Sequence, residues 1–201
     1  MYIIHLISIS YVTYIIMCSF LGVYEEITNQ RNLAFYRSNL NFFGLYVLSR
    51  CIPFDEIPST PSNPIITLIL WVMVADTIFT ITHRLLHTKH LYWIHKQHHQ
   101  NNPSYSTSTF DSHFIEYLFG NVSTGVIPML LIGGSDSTQL VWMIGANINT
   151  VLGHHMEGPH LTHHKNMKYN YGQGLYLCCL LYTSDAADEG LGVDLGGRRI
   201  I

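Results

Sequence analysis

Apolar and polar positions fall along this chain in long blocks. From Met1 to Tyr24 there is no Asp, Glu, Lys or Arg. That run is as long as the ~20 apolar residues that cross a bilayer core. It has neither the basic start nor the small-residue cleavage site of a secretory leader, so it predicts an uncleaved anchor helix. Glu25, Glu26, Arg31, Arg37, Arg50, Asp55 and Glu56 follow. Among them SNLNFFGLYVLS is too short for an ordinary span and predicts an interfacial or tilted helix. Three prolines make Ile57–Pro64 a loop. Ile65–Thr82 predicts a second span with one charge, Asp76, a costly intramembrane carboxylate that should face the protein interior or a site. Tyr117–Ser135 and Ser137–Met156 are again uncharged and predict a hydrophobic hairpin turned at Gly133–Asp136. The pattern predicts an all-α protein with three to four membrane spans.

Composition sharpens this picture. Charged residues are 11% of 201, against about 25% in soluble domains. The net charge of -3 offers no basic footprint for nucleic acid. The cysteines have no paired spacing, which excludes a disulfide framework and a thiolate zinc site. Histidine is the outlier, with 13 copies. His5 stands alone near the start of the first apolar stretch, and the rest lie between His83 and His164.

Their spacing is informative. HRLLH (His83, His87) is an i, i+4 pair, so on a helix both rings share a face. HKQHH (His95, His98, His99) and HLTHH (His160, His163, His164) are each i, i+3, i+4. Neutral imidazole suits iron, zinc or copper. Eight such rings exceed what one four-coordinate ion needs, which favours two ions. His90 lacks a partner at useful spacing and is expected to be no ligand. His154 and His155 are neighbours that project apart, so one of the two is expected to bind. The boxes can meet only if the hydrophobic stretch between them crosses an even number of times. Arg84, Lys89, Lys96, Lys165 and Lys168 lie beside them, which under the positive-inside rule makes that face cytosolic. The expected architecture is therefore a membrane bundle with a cytosolic, helical, histidine-rich metal cap. A non-enzymatic alternative is a histidine-rich metal-binding or metal-transport membrane protein. Ligands within the spans would mark a transport path, whereas the boxes stand at span ends.

The ordered set Asp76, HRLLH, HKQHH, HFIE (His113–Glu116), HLTHH and NYGQ (Asn170–Gln173) resembles the fatty acid hydroxylase superfamily of membrane di-iron enzymes, which includes sterol desaturases, methylsterol oxidases and sphingolipid hydroxylases. The resemblance runs from about Ile65 to Leu177. Membrane acyl-CoA desaturases also use three boxes, but there a membrane hairpin separates the first two. Here only Thr88–Ile94 intervenes. NYGQ looks most like the sterol desaturase branch. The resemblance implies a lipid hydroxylase or desaturase with two non-haem irons, using dioxygen and electrons from a donor such as a b-type cytochrome and its reductase. The endoplasmic reticulum is the expected location if the source is eukaryotic. The implied ligands come from His83, His87, His95, His98, His99, His113, His154, His155, His160, His163 and His164, with Asp76, Asp111 and Glu116 as acceptors that orient imidazoles. There are departures. Phe114 stands where the family usually has Pro, and His154 and His155 stand nearer the third box than the family's extra upstream His.

The composition changes at about Cys179. CLLYTSDAADE followed by GVDLGGRRII resembles an in-frame translated sequencing adapter, so residues 179–201 are expected to be a non-native tail. Without it the acids fall from 13 to 9, the bases from 10 to 8, and the net charge becomes -1. The Trp-Asp pair and Phe-Gly-Thr turn that follow NYGQ in the family do not follow it here, which puts activity in doubt. The expected division is an N-terminal anchor and interfacial region (1–64), an incomplete hydroxylase-like domain (65–178) and the tail (179–201).

Overall fold

The computed structural model describes residues 2–22, 29–51, 56–101, 104–156, 158–167 and 170–172. The expected tail, Lys168 and Gln173 lie outside the described residues. Among the described residues the long elements are helices: α1 (Ile3–Gly22), α2 (Asn29–Cys51), α3 (Pro64–Leu86), α6 (Ser123–Ile132), α7 (Asp136–His155) and α8 (Pro159–Asn166). Two short pieces, α4 (Tyr92–His95) and α5 (Phe114–Glu116), lie between α3 and α6. A π-helical turn, Tyr117–Val122, joins α5 to α6. The expected all-α fold is the observed one.

Among the described residues three helices are long and apolar enough to cross a membrane: α1, α3 and the continuous helix Phe114–Ile132. Their outward faces carry Val12, Ile16, Phe20, Ile69, Met73, Phe119 and Leu131, all exposed. Faces this apolar suit lipid rather than water. The second arm of the expected hairpin, α7, is not among the three. Its polar residues explain why, and they point inward: Thr138, Gln139 and Asn147 are buried.

Local chemistry sets the ends of these helices. Asn63 Oδ1 accepts from the Ile65 and Ile66 amides, and Pro64 occupies the first turn of α3, where its missing N–H costs nothing. The hairpin turn needs glycine at Gly133, whose φ is +76°. A Cβ there would also run into the Thr60 side chain. The Thr60 amide donates to the Gly134 carbonyl at 3.0 Å, and the Gly134 amide donates back to Thr60 Oγ1 at 2.8 Å. The proline loop is thereby stitched to the hairpin.

α1 packs along α7, and α3 along α6. One apolar cluster joins Tyr14, Phe42, Phe110, Tyr117 and Val151. A second joins Leu6, Ile57, Trp71, Met129 and Trp142. SNLNFFGLYVLS, expected to lie along the interface or in a tilted helix, is part of the 23-residue helix α2. Its inner side is polar for a reason. Ser38 Oγ donates to the Thr107 carbonyl at 3.1 Å, and Asn41 Nδ2 donates to the Phe110 and Ser112 carbonyls at 2.8 and 2.9 Å. Tyr14 Oη on α1 donates to the same Thr107 carbonyl at 2.9 Å. These bonds satisfy buried carbonyls of the irregular segment 104–112. That segment joins the second histidine box to the helix carrying Glu116.

Candidate metal centre

Nine imidazoles converge in two groups. His83, His87, His95, His99 and His163 form one, and His98, His154, His160 and His164 the other. The ligating nitrogens of each group lie within 4.8 Å of one another. All nine rings are buried except His87, which is half-buried. Each box divides by one rule. The i, i+4 pairs His83/His87 and His95/His99 serve the first group, and His160/His164 the second. The i+3 ring of each triple crosses over: His98 joins the second group, and His163 the first. Neighbouring helical residues diverge by about 100°, so one box feeds both groups. HKQHH is not one continuous helix, however. α4 ends at His95, and His98–Gln100 is a separate 3₁₀ turn.

The local structure aims the rings. The His83 Nδ1–H donates to the Tyr171 carbonyl at 2.8 Å, and the His154 Nδ1–H to the Thr150 carbonyl at 2.8 Å. The His95 Nδ1–H donates to Glu116 Oε1 at 2.8 Å. A neutral imidazole has one N–H, so each of these rings turns an Nε2 lone pair to the centre. His95 Nε2 lies 3.1 Å from His83 Nε2, 3.0 Å from His87 Nε2 and 2.9 Å from His99 Nε2. In the second group His154 Nε2 lies 3.1 Å from His98 Nε2 and 3.2 Å from His160 Nε2. Lone pairs packed so closely repel unless a cation sits between them. With metal–nitrogen bonds of about 2.1 Å, two ligands at right angles stand about 3.0 Å apart, close to these spacings. His164 adds a buried ring with neither nitrogen hydrogen-bonded. The residues therefore fit two metal ions held by imidazole alone.

Electrostatics agree. Burial, reinforced by neighbouring imidazoles, lowers the pKa of His87 to about 4 and of His99 to about 3. The same causes push His95, His98, His160 and His164 well down. The rings stay neutral, the protonation state that binds metal.

Other residues expected at the site are placed elsewhere. His113 caps α5, its Nδ1 accepting from the Ile115 amide at 3.2 Å. His155 follows His154 on α7 and lies outside both groups, because adjacent helical side chains point about 100° apart. His90 is exposed, outside both groups. Of the expected acceptors, Glu116 meets a ring directly. Asp111 instead braces the second box, accepting from Gln97 Nε2 at 2.8 Å and Asn101 Nδ2 at 2.9 Å. Burial pushes its carboxyl up, opposed by those two bonds and by Arg37. Asp76 lies seven residues before His83, about 10.5 Å along the helix axis, in the wall of an apolar cavity.

Sequence reasoning missed Tyr171 as a contact. Its ring packs against His87 and His163 with centroids 5.0 Å away, and Arg84 lies over it at 5.4 Å. The chain returns there because α8 ends on Met167 at φ +56° and Asn170 adopts φ +58°, a conformation Asn tolerates better than most residues. The acceptor is a main-chain carbonyl, so no residue type could have flagged it. The Thr150 carbonyl, by contrast, is the ordinary i−4 neighbour of His154.

The fatty acid hydroxylase family matches residues 68–179, more than half of the chain and all nine histidines. The chain belongs to the fatty acid hydroxylase family. Over 118 residues it is 25% identical to the proteins called fatty acid hydroxylase domain-containing protein 2 of Macaca fascicularis and Homo sapiens. The match covers 55% of this chain and 35% of each relative, so the matched stretch spans about a third of their length. No solved structure matches the chain.

Proposed function

We propose that this chain is an integral-membrane oxygenase that hydroxylates or desaturates a lipid at a centre of two non-haem irons. The observation that carries the reading is that two all-imidazole groups line a small cavity sharing Phe79, Gly120 and Asn121 with an apolar cavity of about 710 Å³. That cavity is bounded by α1, α2, α3, the π turn and α7, and is large enough for a lipid chain or ring system. Iron would supply dioxygen activation against an unactivated C–H bond. The chain's own residues orient and exclude. The Tyr171 and Thr150 carbonyls and Glu116 hold three rings in one tautomer, Asp111 braces the second box, and Tyr171 covers the first group. Electrons would come from a partner such as a b-type cytochrome with its reductase, as the family resemblance implies. Arg84, Lys89, Lys96 and Lys165 beside the boxes favour a cytosolic metal face, in the endoplasmic reticulum if the source is eukaryotic.

Metal analysis of the purified chain tests the reading. About two tightly held irons per chain are expected, as the two histidine groups require. Weak, exchangeable zinc or manganese would instead favour a metal carrier. Expression in a host lacking one lipid oxidation step, with lipid profiling, then identifies the substrate.

A further inference from the structure

The apolar cavity and the metal centre meet at one place. A small cavity of about 20 Å³ is lined by His83, His95, His98, His154 and Glu116. It therefore touches both histidine groups. Three residues line both this cavity and the 710 Å³ one: Phe79, Gly120 and Asn121. Phe79 lies one helical turn before His83, its ring edge-on to His83 at 5.2 Å and to His160 at 6.1 Å. Gly120 is buried in the π-helical turn, an irregularity that recurs at functional sites. A Cβ on Gly120 would meet only the Glu116 side chain, its Cγ at 3.8 Å. Gly120 and Glu116 thus share a face, and Glu116 holds His95.

We propose that Gly120, together with Phe79, forms the throat through which a slim alkyl segment of the lipid reaches the metals. The proposal rests on reading the histidines as the metal centre of a lipid oxygenase. The cavity beside the rings holds about one small group, since a single water needs roughly 10–15 Å³. The carbon presented there is therefore a methyl or a methylene of an unbranched chain, while the bulk of the lipid stays in the larger cavity. Space alone permits a side chain at residue 120, because the added Cβ clashes with nothing. Its absence keeps the passage open.

The test uses the full chain in detergent micelles, loaded with manganese(II), or with zinc(II) as a diamagnetic reference. The probe is 1,1,1-trifluorododecane, an alkane that enters an apolar cavity without a headgroup. Paramagnetic relaxation of its fluorine signal reports how near the chain end comes to the metals. Strong enhancement is expected for the wild type and for Gly120→Ala. In Gly120→Leu the probe should still bind, but its end is withdrawn by about one helical turn, ~5 Å, which lowers the enhancement more than about tenfold through its sixth-power distance dependence. Phe79→Ala, which removes the bulky ring from the same lining, should raise the enhancement and keeps the test decisive if Gly120→Leu fails to fold. Equal enhancement in wild type, Gly120→Leu and Phe79→Ala would overturn the proposal. So would no enhancement in a metal-loaded wild type. A chain that binds neither iron nor manganese would instead overturn the metal centre, and the proposal with it. Metal content measured on the same samples separates the two failures.

Discussion

Glu116 offers the sharpest test, because it serves one metal group and not the other. Its Oε1 accepts the His95 Nδ1–H at 2.8 Å, and both residues are buried. His95 Nε2 in turn stands at the hub of the five-histidine group. Glu116→Gln keeps the volume and an acceptor oxygen but removes the charge. Bonds to charged groups contribute about 1.5–3 kcal/mol and neutral ones about 0.5–1.5, a difference of about 1–1.5 kcal/mol, or roughly tenfold in affinity. Glu116→Ala also strands a buried N–H, which places it near the upper end of the about 10–100-fold range for lost ligand-orienting partners. The four-histidine group should be unaffected, since His154 is held by the Thr150 carbonyl. Competitive titration with a chromophoric chelator resolves two binding steps. One step should weaken in the order wild type, Gln, Ala, while the other stays fixed. Equal weakening of both steps, or of neither, would refute the tautomer argument.

His98→Ala and His163→Ala act on different groups, so each should lower metal content to about one ion per chain; full retention in both variants would sink the two-centre assignment. His113→Ala and His155→Ala should leave metal content unchanged, with His113→Ala costing about 0.5–2 kcal/mol of stability through its lost cap; loss of metal in either would restore that residue to the ligand set. The metal-free protein should be acid-sensitive. His99, held at about 3 in the fold and 6.5 unfolded, takes up its proton only in the unfolded chain over that window. Stability is therefore full above pH 6.5 and falls below it by about 1.4 kcal/mol per pH unit for such a group. A thermal midpoint that stays flat from pH 7 to about 4.5 in the absence of metal would contradict the burial of neutral rings.

The uncharged blocks at 1–24, 65–82 and 117–135 determined three of the long helices, because a 20-residue apolar run has few other stable outcomes. Box spacing determined that His83 and His87, and His160 and His164, would act in pairs, because i and i+4 share a helix face; His95 and His99 meet across the break between α4 and the 3₁₀ turn. Which pair joins which histidine group was not legible. The crossing of His98 and His163 depends on how α4, the 3₁₀ turn and α8 meet, a matter of tertiary packing. Choosing His154 over His155 needed the orientation of α7 about its own axis. His113 carries the right residue type and was assigned by resemblance, but the fold spends it on a helix cap. The Tyr171 carbonyl and the open face of Gly120 had no signal at all. One is main chain and the other is the absence of a side chain, and only the packed structure gives either of them a neighbour.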